Sequence, residues 1–178
     1  MGRAVVILVT VGTQLPFDRL VSAVDAIAPT LNVPIIAQIG RGSYRPANME
    51  WRTFVDPIAF EELFQTCSLA VSHAGIGTIV TAQRLLKPLI VLPRLASLEE
   101  HRNDHQLSTV RALEARKGLY VANGSEDLAR LMAETLDPPS ERAEVPERER
   151  LRTKLSDFLD QEYSSWQKRA GGPSQGAR

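Results

Sequence analysis

Three observations predict an α/β fold, a parallel sheet with helices on both faces. Short apolar runs alternate with helical patterns along the chain, the order expected when each strand is followed by a crossover helix. Val5-Val-Ile-Leu-Val9 is a continuous run of this kind, as a strand buried on both faces requires. Three loops of distinctive composition, Thr10–Thr13, Ser72–Thr78 and Pro93–Gln106, each follow a strand. All three should therefore fall on the edge formed by the strands' carboxyl ends, where ligands of such sheets sit.

Taken in order, Val5–Val9 is the first strand, and Thr10-Val-Gly-Thr13 ends it in a glycine-containing turn. Pro16 suits the first turn of a helix reaching to about Ala28, with Leu20, Val21, Val24 and Ile27 as its apolar stripe. Val33–Ile39 reads as the second strand, Gly40–Pro46 as a loop and Trp51–Val55 as the third strand. Asp56-Pro57 makes a good N-cap and first position for a helix through Gln65. Leu69–Ser72 is the fourth strand and Thr78–Leu86 a helix stopped by Lys87-Pro88; Leu89–Leu92 is the fifth strand. The long polar stretch Pro93–Asp104 is the kind of loop that carries function more often than scaffold. A helix from His105 to about Ala115, a strand Gly118–Val121 and a helix capped by Ser125 and running to about Thr135 complete the pattern. The expected organisation is a domain over residues 1–140, a charge-rich helix with an apolar face (Leu151, Leu155, Phe158, Leu159) within 141–168, and a disordered tail over 169–178.

Composition narrows the function. The chain has 178 residues, enough for a sizeable core, and 21 basic against 21 acidic residues, so charge gives no argument for a nucleic-acid partner. Cys67 is the only cysteine and is expected to be a packed thiol in a reducing compartment. No apolar run is long enough to span a membrane. His73, His101 and His105 show no spacing that pairs with further ligands, and there is no Asp-x-Asp pair, so no metal is expected. Val80 stands where a dinucleotide fingerprint has its third glycine, and Pro93 and Arg94 stand where the next strand would end in an acid; a nicotinamide cofactor is therefore rejected. The Arg148–Arg152 cluster reads as a solvated helix face.

The rest of the chain is organised around Leu69-Ala-Val-Ser-His-Ala-Gly-Ile-Gly-Thr78. Strand, small-residue turn and helix in that order aim backbone N–H groups at an anion. Gly75 and Gly77 allow close approach to the backbone, Thr78 adds a hydroxyl in the first turn, and His73 ends the strand. These residues form a candidate diphosphate cradle. The glycine spacing alone equally fits a plain turn whose glycines relieve crowding.

Val9-Thr-Val-Gly-Thr13, His73-Ala-Gly-Ile-Gly-Thr78, Lys87-Pro-Leu-Ile-Val-Leu-Pro93 and Asn103-Asp-His-Gln106 occur in an order and spacing that resemble the C-terminal, nucleotide-sugar-binding half of family 28 GT-B glycosyltransferases. The resemblance covers about residues 4 to 135 and is strongest, through the Glu99–Gln106 run, to free-standing PssE/EpsF-type subunits of bacterial exopolysaccharide synthesis. It implies a Rossmann-like domain in which Gly12, Thr13, His73, Gly75, Gly77 and Thr78 meet the diphosphate of a UDP-sugar. It places uracil against the backbone at Val55 and the sugar against Asn103 and Gln106, with His73 a candidate for the leaving group. Arg94 or Arg102 would pair with a carboxylate if the sugar is a glucuronate. Where much of the family has a ribose-binding Glu this chain has Thr81, and Glu99 or Glu100 is the candidate substitute.

The resemblance further implies a metal-independent transferase needing no cofactor, in which the helix N-terminus stabilises the leaving diphosphate. A GT-B site lies between two domains and this chain supplies one. The expected partner is a membrane-anchored, acceptor-binding subunit, which would hold a lipid-linked saccharide acceptor and keep this cytoplasmic chain peripheral at the inner membrane. The alternative is a non-catalytic subunit that stabilises or activates a partner glycosyltransferase.

Overall fold

Alternate residues of each central strand face opposite sides of one sheet, and the helices sort themselves accordingly. A computed structural model describes residues 5–102, 105–113 and 115–140, with only the backbone of 105, 108 and 112. The strands are β1 (Ile7–Thr10), β2 (Ile35–Gln38), β3 (Glu50–Arg52), β4 (Leu69–His73), β5 (Leu89–Leu92) and β6 (Leu119–Val121). The helices are α1 (Asp18–Ile27), α2 (Pro57–Thr66), α3 (Ile76–Arg84), α4 (His105–Leu113) and α5 (Ser125–Ala133). Ile7, Val9, Val71 and Ile90 share a core with Leu20, Val21 and Val24 of α1 and Leu128 and Leu131 of α5. Leu8, Ala70, Leu89 and Val91 share the opposite one with Phe64 of α2, Ile79 of α3 and Val110 of α4. This period of two, with both faces apolar, is what a doubly covered parallel sheet demands.

The sheet order is β3-β2-β1-β4-β5-β6, and every pairing is parallel. β1 sits beside both β2 and β4, so the chain winds outward in opposite directions from the β1–β4 pair. The described residues belong to one compact unit, Met1–Arg142. The expected helix and tail beyond residue 140, and the boundaries drawn there, lie outside the described residues.

Several element ends differ from expectation, each for a local reason. β1 starts at Ile7 because its partners begin at Ile35 and Leu69; Val5 is left exposed. β3 is an exposed edge strand that ends at Arg52, since the Val55 N–H turns to the Gln38 side chain at 3.2 Å instead of a ladder partner. α1 begins after Phe17, with Pro16 outside it; the buried Phe17 ring, rather than a polar cap, sets the entry. α2 has the expected cap: Asp56 Oδ1 accepts from the N–H groups of Ile58 (3.1 Å) and Ala59 (3.0 Å). α3 starts at Ile76, with Gly75 in an extended conformation as N-cap, which moves Thr78 inside the first turn. Ser125 is not the cap of α5: Gly124 is, and Asp127 accepts from the Asn123 N–H at 3.0 Å in its place. Cys67 is buried, its thiol on the Phe64 carbonyl at 3.2 Å.

Candidate functional site

The reversal of strand order between β1 and β4 opens a crevice at their carboxyl ends. A cleft of about 640 Å³ lies there. All three loops singled out from the sequence contribute to it, through Gly12 and Thr13, through His73 and Gly75 to Thr78, and through Arg94 and Gln106. Val55 and Thr81 also line it.

The cleft floor is the β1 turn against the β4 turn. Gly12 has φ +76°, a left-handed conformation, and a Cβ there would lie 2.8 Å from His73 Cε1; glycine is needed on both counts. Its N–H donates to Thr10 Oγ1 at 3.2 Å. A Cβ on Gly75 would lie 2.3 Å from His73 Nε2, so the imidazole is wedged between the two glycine turns. A Cβ on Gly77 would meet nothing within 4 Å. The missing side chain therefore leaves open cleft over the first turn of α3. No side chain caps α3, and in a helix the N–H groups of Ile76, Gly77 and Thr78 have no intrahelical acceptor. These donors and the positive end of the helix dipole are the features that attract an anion.

His73 is held below by β1 and β4. Ser72 Oγ donates to the Thr10 carbonyl at 2.8 Å and lies 3.2 Å from His73 Nδ1. Burial, with Arg94 and His101 nearby, pushes the imidazole down to about 4, so the free protein carries it neutral at pH 7.

Arg94, Glu100 and Gln106, expected around the sugar and ribose, make contacts within the protein, and the buried Arg94 Nε has no partner among the described residues. Arg94 is 3% exposed; its Nη2 donates to the carbonyls of Val11 (3.0 Å) and Leu15 (2.7 Å), and its guanidinium lies 4.9 Å from the Phe17 ring centre. Glu100 receives Arg19 Nε and Nη2 at 2.7 and 2.8 Å and the Leu95 N–H at 3.0 Å. Burial alone would raise the Glu100 carboxyl, but Arg19, that N–H and Arg94 hold it below its ordinary value. Gln106 is buried, and its Oε1 accepts from the N–H groups of Ala74 (3.2 Å) and Arg94 (3.0 Å). Together they tie the β5–α4 loop to the β1 and β4 turns. In this structure Arg94 and Glu100 act as loop clamps, because burial beside backbone carbonyls and Arg19 fixes where their charges go. Asn103 lies outside the described residues, and Arg102 is exposed.

The Val55 N–H at the expected uracil position is taken by Gln38 Oε1, while Gln38 Nε2 donates to the Gly12 carbonyl at 3.4 Å. Thr81 bonds back into its own helix, Oγ1 to the Gly77 carbonyl at 2.9 Å. Gln38, Ser72 and Arg19 were not singled out from the sequence. Gln38 is the one polar residue in an apolar run and Ser72 precedes a strand-end histidine, signals that could have been read; Arg19 looks like any exposed helix residue. Among the described residues no three His, Cys, Asp or Glu side chains converge as a metal site, and no helix is long and apolar enough to cross a membrane.

The fold is that of the C-terminal half of a GT-B glycosyltransferase. Residues 6–161 match the family described as glycosyltransferase family 28 C-terminal domain, and the chain belongs to that family. The UDP-N-acetylglucosamine transferase subunit ALG13 of Eremothecium gossypii is 32% identical over 133 residues, 71% of this chain and 64% of that protein. The subunit of the same name from Homo sapiens is 30% identical over 125 residues, 64% of this chain and 11% of that protein. The chain thus spans less than two thirds of the curated relatives it matches. A solution structure of ALG13 superposes with a TM-score of 0.57 at 22% identity, covering 84% of this chain and 95% of that one. MurG of Acinetobacter baumannii superposes with a TM-score of 0.55 at 18% identity, covering 74% and 41%. At such identities the likeness concerns the fold.

Proposed function

We propose that this chain is the donor-binding subunit of a two-component glycosyltransferase. It holds a UDP-sugar, UDP-GlcNAc by analogy with the subunits it is similar to, and a second, membrane-associated subunit brings a lipid-linked saccharide acceptor. The resemblance of the Glu99–Gln106 run to the bacterial subunits favours exopolysaccharide assembly as the setting. The observation that carries the reading is the open space over Gly77 at an uncapped helix N-terminus, in the crevice where the strand order reverses.

In this reading the diphosphate lies on the N–H groups of Ile76 to Thr78, against Gly12, Thr13 and His73. The donors are fixed by the helix before the ligand arrives, so they stabilise charge that builds on the leaving diphosphate without reorganising. Uracil lies towards Val55, and Gln106, which lines the cleft, borders the sugar. The need for a partner is supported by exposed apolar side chains in the segments that follow the strands: Leu15 and Ile76 line the cleft, and Phe54, Ile58, Val80 and Leu98 are exposed in the loops and helix starts after β3, β4 and β5.

Calorimetric titration of the folded chain with UDP-GlcNAc, UDP-glucose and UDP-glucuronate tests the donor role. Binding of at least one is expected, and Gly77→Val should abolish it while the circular dichroism stays unchanged. Failure of the folded wild-type chain to bind any of the three would sink the proposal.

A further inference from the structure

The donor reading leaves Ser72, a buried hydroxyl beneath the cleft, without a role. We infer that Ser72 and the Thr10 carbonyl hold His73 as the Nδ1–H tautomer, and that a nucleotide-sugar diphosphate enters with uptake of a proton on His73 Nε2. The inference rests on the donor-site reading.

The tautomer follows from counting protons. Ser72 has no exposed surface, and its Oγ lies 2.8 Å from the Thr10 carbonyl oxygen. A carbonyl oxygen has no proton, so the hydroxyl proton is committed to that contact. His73 Nδ1 lies 3.2 Å from the same Oγ, which can now only accept. Nδ1 therefore carries the proton of the neutral ring, and Nε2 is left with a lone pair. Nε2 is the ring atom nearest the Cβ direction of Gly75, and Cε1 is nearest that of Gly12. The lone pair thus lies between the two glycine turns, beside the N-terminus of α3.

In that place a lone pair opposes the ligand. A phosphate oxygen drawn to α3 meets a second acceptor, and only a proton on Nε2 turns the contact into a charge-assisted hydrogen bond. Among the described residues, the side chains that act on the ring resist this in the free protein, and the hydrogen bond with the Thr10 backbone is what favours it. Arg94, after β5, and His101, in the following loop, both disfavour a charged imidazole. The positive end of α3 acts in the same sense, and the carboxylate in this loop, Glu100, is engaged by Arg19 and the Leu95 N–H. Burial adds to it, and the ring sits well below its ordinary value, at about 4. A diphosphate reverses the balance, since opposite charge within hydrogen-bonding distance favours the protonated form. The proton comes from solvent, joins Nε2 as the anion docks, and returns when the diphosphate leaves.

Two measurements test this on the full chain, with UDP-GlcNAc as probe. Both of its phosphates are esterified, so it lacks the second ionisation near pH 6 of a terminal phosphate. Titration at neutral pH in imidazole and in MOPS, buffers of different ionisation enthalpy, should show uptake approaching one proton per ligand bound. Affinity should then rise by up to about tenfold for each pH unit lowered towards about pH 5.5. His73→Gln, which offers a non-titrating donor near Nε2, should bind with no proton uptake and with affinity flat in pH. Nitrogen-15 spectra of the imidazole should show Nδ1–H alone in the free chain and both nitrogens protonated in the complex. Binding without proton uptake, or an Nε2–H ring in the free chain, would overturn the inference and leave the donor reading standing. Absence of UDP-GlcNAc binding by the wild-type chain would overturn both.

Discussion

Gly77 and His73 carry opposite conflicts between stability and use. Glycine inside a helix costs up to about 1 kcal/mol relative to alanine, and nothing stands within 4 Å of a Cβ at Gly77. Gly77→Ala should therefore raise the melting temperature while weakening UDP-sugar affinity, a pairing that marks a residue kept for its ligand. Thermal melts and titrations of the same preparation would check it; unchanged affinity would remove the cradle from the account. Gly75 is a poorer test, because a larger residue there displaces His73 as well. For His73 the folded value, about 4, lies below the unfolded one near 6.5. The unfolded chain then takes up a proton that the folded chain refuses, so stability falls as pH drops through that interval, by up to about 3 kcal/mol. Denaturant titrations at pH 7 and 5 should show the loss in the wild type and less of it in His73→Gln.

Loops in this domain are held by side chains from other elements. Arg94 fastens the β1–α1 loop through two carbonyls, Gln106 fastens the turn after β4, and Arg19 of α1 fastens the β5–α4 loop through Glu100. Arg94→Lys keeps the charge but loses the fork that reaches both carbonyls and the flat contact with Phe17. It should cost about 1–3 kcal/mol and speed amide exchange in Val11–Leu15, with little effect on α5 across the core. Equal acceleration in α5 would show a general loss of stability instead of a released loop.

At the scale of the whole molecule, the proposed function makes the donor edge half of a site. A transfer reaction needs an acceptor facing the diphosphate, and large apolar side chains from Leu15 to Leu98 in the loops and helix starts that follow the strands are exposed. Polar substitution at two of these positions away from the cradle, Ile58→Ser with Leu98→Ser, should weaken co-purification with the second subunit and leave UDP-sugar affinity within about twofold. The apolar face expected from the sequence on the helix within 141–168, outside the described residues, is a second candidate contact with the partner; deleting 146–178 tests it by the same pair of measurements. Retention of the partner by both variants would overturn this placing of the interface.

Much of this was legible from local pattern. Alternating strands and helices, the Asp56-Pro57 cap, the glycine-rich turn after β4 and the edge on which the loops gather all follow from periodicity, turn chemistry and the rule that parallel strands need crossovers. These depend on neighbours in the chain, which a sequence displays. Tertiary structure alone decided the partners of charged and polar side chains. The sequence showed Arg94 and Glu100 only as charges in a polar loop; burial sets one against the carbonyls of Val11 and Leu15 and the other against Arg19, 81 residues away in the chain. Strand ends moved for the same reason, since a ladder stops where its neighbour stops. The tautomer of His73 likewise depends on Thr10, brought beside Ser72 by the pairing of β1 with β4. A hydrogen bond is satisfied by whatever group the fold brings within about 3 Å, and only packing determines which group that is.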